Sequence, residues 1–162
     1  MNPTGLRFEM PSTSGRRFLR FEEVAGTRGV GLQIRYAWAS HSRLSEVPLE
    51  HEVVLPPVVW RRATLEALLG EVRRYGAGLG LKPVPAPVSE WLGHPGGAAV
   101  RVELLPASRG FVVPSWRCVC ILTFSDGSGL EFTAGLELDA SCLDLFADGL
   151  EDFLGQAAVP VE

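Results

Sequence analysis

Few residues of this 162-residue chain have both the type and the spacing to carry chemistry, and three cysteines and three histidines head that set. Cys118 and Cys120 stand two apart in a stretch of strand character, so both thiols point to one face. A metal ion would need two further ligands, and His41, His51 and His94 form no ligand pair with them or with Cys142. The spacing therefore points to buried structural thiols in a reducing compartment, with no metal and no cofactor expected. Gly76, Gly78 and Gly80, with Lys82 after them, superficially match a phosphate-binding loop. They follow a helical stretch, however, whereas a dinucleotide fingerprint follows a strand and opens a helix, and Lys82 completes no Walker pattern.

Covalent hydrolysis needs an activated nucleophile, and Ser125 and Ser128 lack the Gly-x-Ser-x-Gly elbow. His51 lies between Glu50 and Glu52, which supplies acid and base groups, yet charge alternating along a solvated strand face accounts for the same residues. No catalytic residue is assigned. Trp91 and His94 fall within residues 76–97, a Gly- and Pro-rich segment read here as one long loop. Loops carry contacts and function more often than packed elements do. Trp91 would serve there as a contact residue, or as a plug holding the loop on the sheet.

Charge adds a second kind of candidate. Fifteen Lys and Arg against nineteen Asp and Glu leave a net −4, but the two signs are not evenly spread. No basic residue follows Arg117, while nine acids do; before that point fifteen bases face ten acids, so the two parts carry +5 and −9. Such an asymmetry steers a charged partner toward one face. An isoelectric point near 5.4 argues against a nucleic-acid binder, although Arg61, Arg62, Arg73 and Arg74 make a local basic patch.

The elements that must position these residues follow from periodicity. Residues 6–10 and 18–23 flank a Pro-Ser-Thr-Ser-Gly cluster and read as a first hairpin. Val30, Leu32, Ile34, Tyr36 and Trp38 alternate with smaller or polar residues, and 49–55 reads as the return strand. After Pro56 and Pro57 the period changes. Leu65, Leu68, Leu69, Val72 and Tyr75 make an amphipathic helix that Gly76 is expected to end. Residues 100–104 form a strand, 111–113 begin another, 116–124 is apolar on both faces and belongs in the middle of a sheet, and 130–138 follows a turn containing Asp126-Gly127. Asp139 or Ser141 caps a closing helix with Leu143, Phe146, Leu150, Phe153 and Leu154 inside, ended by Gly155.

A single domain over residues 1–162 is expected, of α+β class: one antiparallel sheet of about six to seven strands with two helices on one face. The 46% hydrophobic content supports a full core, and no run reaches the roughly 20 residues of a membrane helix. The first twenty residues lack the apolar stretch of a signal peptide, so the cytoplasm is the expected location.

Residues 136–154, reading Leu-Glu-Leu-Asp-Ala-Ser-Cys-Leu-Asp-Leu-Phe and ending Leu-Glu-Asp-Phe-Leu, resemble the C-terminal signature of the WapI-like bacterial immunity proteins. The Gly-Leu-Glu-Phe strand from Gly129 and the earlier leucine-rich helix fit the same layout. The resemblance implies a cytoplasmic, non-enzymatic protein that protects its producer by binding a secreted toxin. On that reading Asp144, Asp148, Glu151 and Asp152 face a basic toxin domain, which speeds association and sets register, and Trp91 beside His94 supplies an aromatic anchor. The alternatives are a ligand-binding or enzymatic pocket beneath the 76–97 loop, using His51 or His94, and a structural subunit of a bacterial assembly.

Overall fold

In the computed structural model the described residues are 2–26, 29–41, 43–44, 46–94, 96–107 and 116–157. The first half is an antiparallel meander of β1 (Asn2–Pro11), β2 (Arg17–Gly26), β3 (Gly29–Ser40) and β4 (Leu49–Val54), followed by helix α1 (Arg62–Gly78). The second half repeats that plan with β5 (Val88–Gly93), β6 (Ala99–Pro106), β7 (Arg117–Ser125) and β8 (Glu131–Asp139), followed by α2 (Ala140–Gln156). The class is α+β as expected, but the strands number eight and form two four-stranded sheets instead of one sheet of six to seven. The reason lies in the connection. After β4, Pro56 and Pro57 interrupt the ladder, the chain touches β3 once more through a Leu32–Val58 bridge, and α1 then forms before any further strand begins.

Strand β5 is the element the sequence reading missed. Residues 76–97 are not one irregular loop, because Val88–Gly93 pairs antiparallel with β6, from Val88 opposite Leu104 to Gly93 opposite Ala99. Val88 and Leu92 share the buried face of this strand, and the surrounding prolines and glycines hid that short alternation. Gly93, at φ 98°, makes the turn out of β5 in a conformation that a Cβ would oppose. Helix α1 continues through Gly76 to Gly78, and α2 extends past Gly155 to Gln156. The strand expected to begin at 111–113 lies outside the described residues. Strand β7 does lie between β6 and β8, as its two apolar faces imply.

The two helices pack against each other, and the sheets they cover are two instead of one. The helices run antiparallel: Arg62, at the start of α1, donates to the carbonyls of Leu154 (2.6 Å) and Ala157 (3.4 Å) at the end of α2. Gly76, at the other end of α1, faces Leu143 near the start of α2. Helix α2 packs on β1 of the first half, and α1 packs on β5 of the second. Each half's helix therefore covers the first strand of the other half. Phe8 on β1 stacks on Phe21 at 4.8 Å and meets Phe146 and Phe153 of α2 at 5.6 and 5.0 Å. The buried faces of both sheets and both helices join in one hydrophobic cluster, and Tyr36 of β3 approaches Phe132 of β8 at 6.2 Å.

Candidate functional site

Helix α2 carries the acidic candidates because its inward stripe is complete without them. Leu143, Phe146, Leu150, Phe153 and Leu154 are buried, which leaves Asp144, Asp148, Glu151 and Asp152 exposed on the outward side. The four acids do not stand alike. Arg73 of α1 reaches across to Asp148 at 3.3 Å and Glu151 at 2.6 Å, so two of them are already bridged within the chain. Among the described residues Asp144 and Asp152 take part in no ion pair. Between them Leu145 is 61% exposed, an apolar side chain in an acidic surround. Leu145 was not singled out from the sequence, although its position off the buried stripe was the signal.

Trp91 occupies the outer face of β5 and is 52% exposed. It stands opposite Arg101 in the ladder, whose guanidinium lies 5.3 Å from the ring centroid and is itself paired with Glu103 at 2.9 Å. This cation–π contact fixes the indole while leaving area for contact. His94 is exposed just past β5 and lines a cleft of about 90 Å³ with Trp60, Thr64 and Leu92. That volume admits water but falls short of the several hundred Å³ typical of a small-molecule site. Trp91 lies on the outer face of β5, whereas the acidic residues lie on α2, and α1 contacts both elements. The structure brings Asp144, Asp148, Glu151 and Asp152 together and leaves Trp91 and His94 elsewhere.

A larger cavity, of about 650 Å³, lies on the first sheet and not beneath the 76–97 segment. Phe18, Ala37 and Glu52 form one cross-strand row, with Ala39 and Glu50 two positions along, so the two small alanines leave a trough between an aromatic wall and two carboxylates. Glu52 is held by Arg35 at 2.8 Å. His51 stacks on Trp38 at 5.2 Å, and its Nε2 is 2.8 Å from the Ser40 hydroxyl. A serine and an imidazole at that distance satisfy the first requirement of a nucleophile–base pair. The described contacts place no carboxylate on the ring to orient it, which the enzymatic alternative requires.

The thiols have no such geometry. Cys118 and Cys120 are fully buried and Cys142 nearly so. Burial raises all three, Cys118 to about 12, so none is a thiolate at neutral pH. Among the described residues no group of three His, Cys, Asp or Glu side chains could hold a metal ion, and no helix is long and apolar enough to cross a membrane. A scan against protein-family models finds no match to the chain, and a search of curated proteins finds none.

Proposed function

We propose that this chain is a non-enzymatic binding protein, an immunity-type inhibitor that neutralises a basic toxin domain by contact through the outward face of α2. The observation that supports this reading most directly is Leu145, exposed within the group Asp144, Asp148, Glu151 and Asp152 in a segment with no basic residue. An interface needs an apolar centre that excludes water and a charged surround that steers approach, and this surface has both in one helix. Arg73 holds Asp148 and Glu151 in place, so a partner's guanidinium meets carboxylates already oriented. Asp144 and Asp152 supply the uncompensated charge. Trp91, on the outer face of β5, serves as a second point of contact for a large partner.

The test compares affinity capture by the native chain with capture by an Asp144→Lys, Asp152→Lys variant, with the captured protein identified by mass spectrometry. Both positions are exposed and take part in no ion pair among the described residues, so circular dichroism of the variant should match the native chain. A basic protein that the native chain retains and the variant loses, with association slowing roughly tenfold or more as salt screens the charges, is the expected result. Equal capture by the variant, or association indifferent to salt, defeats the proposal.

A further inference from the structure

An edge strand presents backbone N–H and C=O groups that its one neighbour cannot satisfy, and the four edge strands of this molecule are not alike. Strand β1 breaks its register between Pro3 and Arg7, and β5 lies against α1. At β8 the Glu137 carbonyl accepts both the N–H and the hydroxyl of Thr13, at 2.9 and 3.2 Å. Strand β4 pairs with β3 over all six of its residues without a shift and contains neither proline nor lysine. Among the described residues no strand lies beyond it.

The ladder fixes which groups are free. Leu55 donates to the Ile34 carbonyl at 2.9 Å, and hydrogen-bonded pairs alternate along an antiparallel ladder, so Leu49, His51 and Val53 turn their backbone groups to β3. Glu50, Glu52 and Val54 therefore turn both N–H and C=O outward, and their side chains, all exposed, share one face. On that face the carboxylates stand across from two methyl groups, Glu50 from Ala39 and Glu52 from Ala37. Arg35 holds Glu52 at 2.8 Å, while Glu50 takes part in no ion pair among the described residues. The other face offers Leu49, Val53 and the His51 ring stacked on Trp38.

These charges decide what can dock. Two copies pairing antiparallel through all three free positions would set Glu52 directly opposite Glu52. A two-residue slip one way sets Glu50 opposite Glu52 twice, and a slip the other way sets Glu50 against Pro56, which has no N–H. Like charges directly opposite destabilise a strand pair, whereas opposite charges stabilise it. We infer that the free edge of β4 binds an extended segment of a partner protein, added to the first sheet as a fifth strand, with Lys or Arg at the two alternate positions opposite Glu50 and Glu52. This site lies on β4 and does not depend on the inhibitor reading.

The test is amide NMR and hydrogen exchange of the full chain with three blocked octapeptides: alternating Lys and Val, the same residues as a Lys block followed by a Val block, and alternating Glu and Val. The alternating Lys peptide should give saturable shifts centred on residues 49–54 and slow the exchange of the Glu50, Glu52 and Val54 amides. The other two should bind about tenfold more weakly or worse. A Glu50→Lys, Glu52→Lys variant should lose the binding. Exposure of both side chains predicts that it folds, and if it does not, Glu50→Gln with Glu52→Gln removes the charge and should weaken binding about tenfold. Equal binding of the block peptide, or shifts without protection of those three amides, reduces the contact to charge and overturns the added strand. Binding unchanged in the variants overturns the basic partner. Protection of the three amides in the peptide-free chain, with a dimer in sedimentation, makes a second copy the occupant and overturns the inference as well.

Discussion

Asp139 shows how much a single side chain settles. It ends β8 and caps α2, its carboxylate accepting the Ser141 hydroxyl at 2.6 Å and the Cys142 N–H at 3.0 Å. Those two donors, Ser141 first, hold its carboxyl below the usual range. A lowered folded value means that the cap contributes fully above the unfolded value of about 3.9 and loses its contribution as pH falls through the folded one. Asp139→Ala should therefore cost about 1 kcal/mol in urea unfolding at pH 7, and the gap from the native chain should narrow below about pH 3.9. A gap unchanged down to pH 2 would show that the carboxylate charge does not matter. A cap at Asp139 or Ser141 was legible in the sequence, because a short acceptor before an apolar helical stripe has few other uses, and the structure assigns it to Asp139. The pairing of Asp148 and Glu151 with Arg73 was not, since 75 and 78 residues separate them from it.

At the scale of elements, α2 comes close to β1 at Gly149. A Cβ built at Gly149 would lie 3.4 Å from the Phe8 Cβ, so the helix rests against the strand with space for a methyl group and little more. Gly149→Ala should be neutral or stabilising, since alanine is favoured over glycine by about 1 kcal/mol in a helix interior. Gly149→Leu should destabilise by about 1–3 kcal/mol, because the added branch must displace the Phe8, Phe146 and Phe153 rings. Thermal unfolding of both variants separates helix propensity from packing, and a leucine variant as stable as the alanine one would refute the close approach. Both helices were legible from their stripes, apart from their ends. Strand β5 was not, because a six-residue strand beside three prolines carries too short an alternation to stand out.

Because its halves exchange their covers, the molecule is expected to unfold as one cooperative body. Helix α2 lies on β1 and α1 on β5, so neither meander has its own helix over its first strand. A fragment of residues 1–86 would expose Phe8 and Phe21 where α2 now covers them, and 87–162 would lose α1 from β5. Each fragment alone should give the circular dichroism of an unfolded chain, and mixing the two should restore the native spectrum. Independent folding of either would contradict the shared core. The same arrangement decides where charge goes, with the acidic face of α2 turned outward.

What the sequence determined by itself was local. Alternation over residues 30–38 and 49–55, the stripes of α1 and α2, a cap at Asp139 or Ser141, the inaccessibility of the thiols and the acid excess after Arg117 all depend on neighbours within a turn or a strand. The tertiary structure decided everything that depends on distant partners. It divided the strands into two sheets, crossed the helices between the halves, spent Asp148 and Glu151 on Arg73, parted Trp91 from the acidic helix and set the Ser12–Arg17 turn against Glu137. Periodicity reports which face of an element is buried, but not what buries it; that is settled only when the whole chain shares one core.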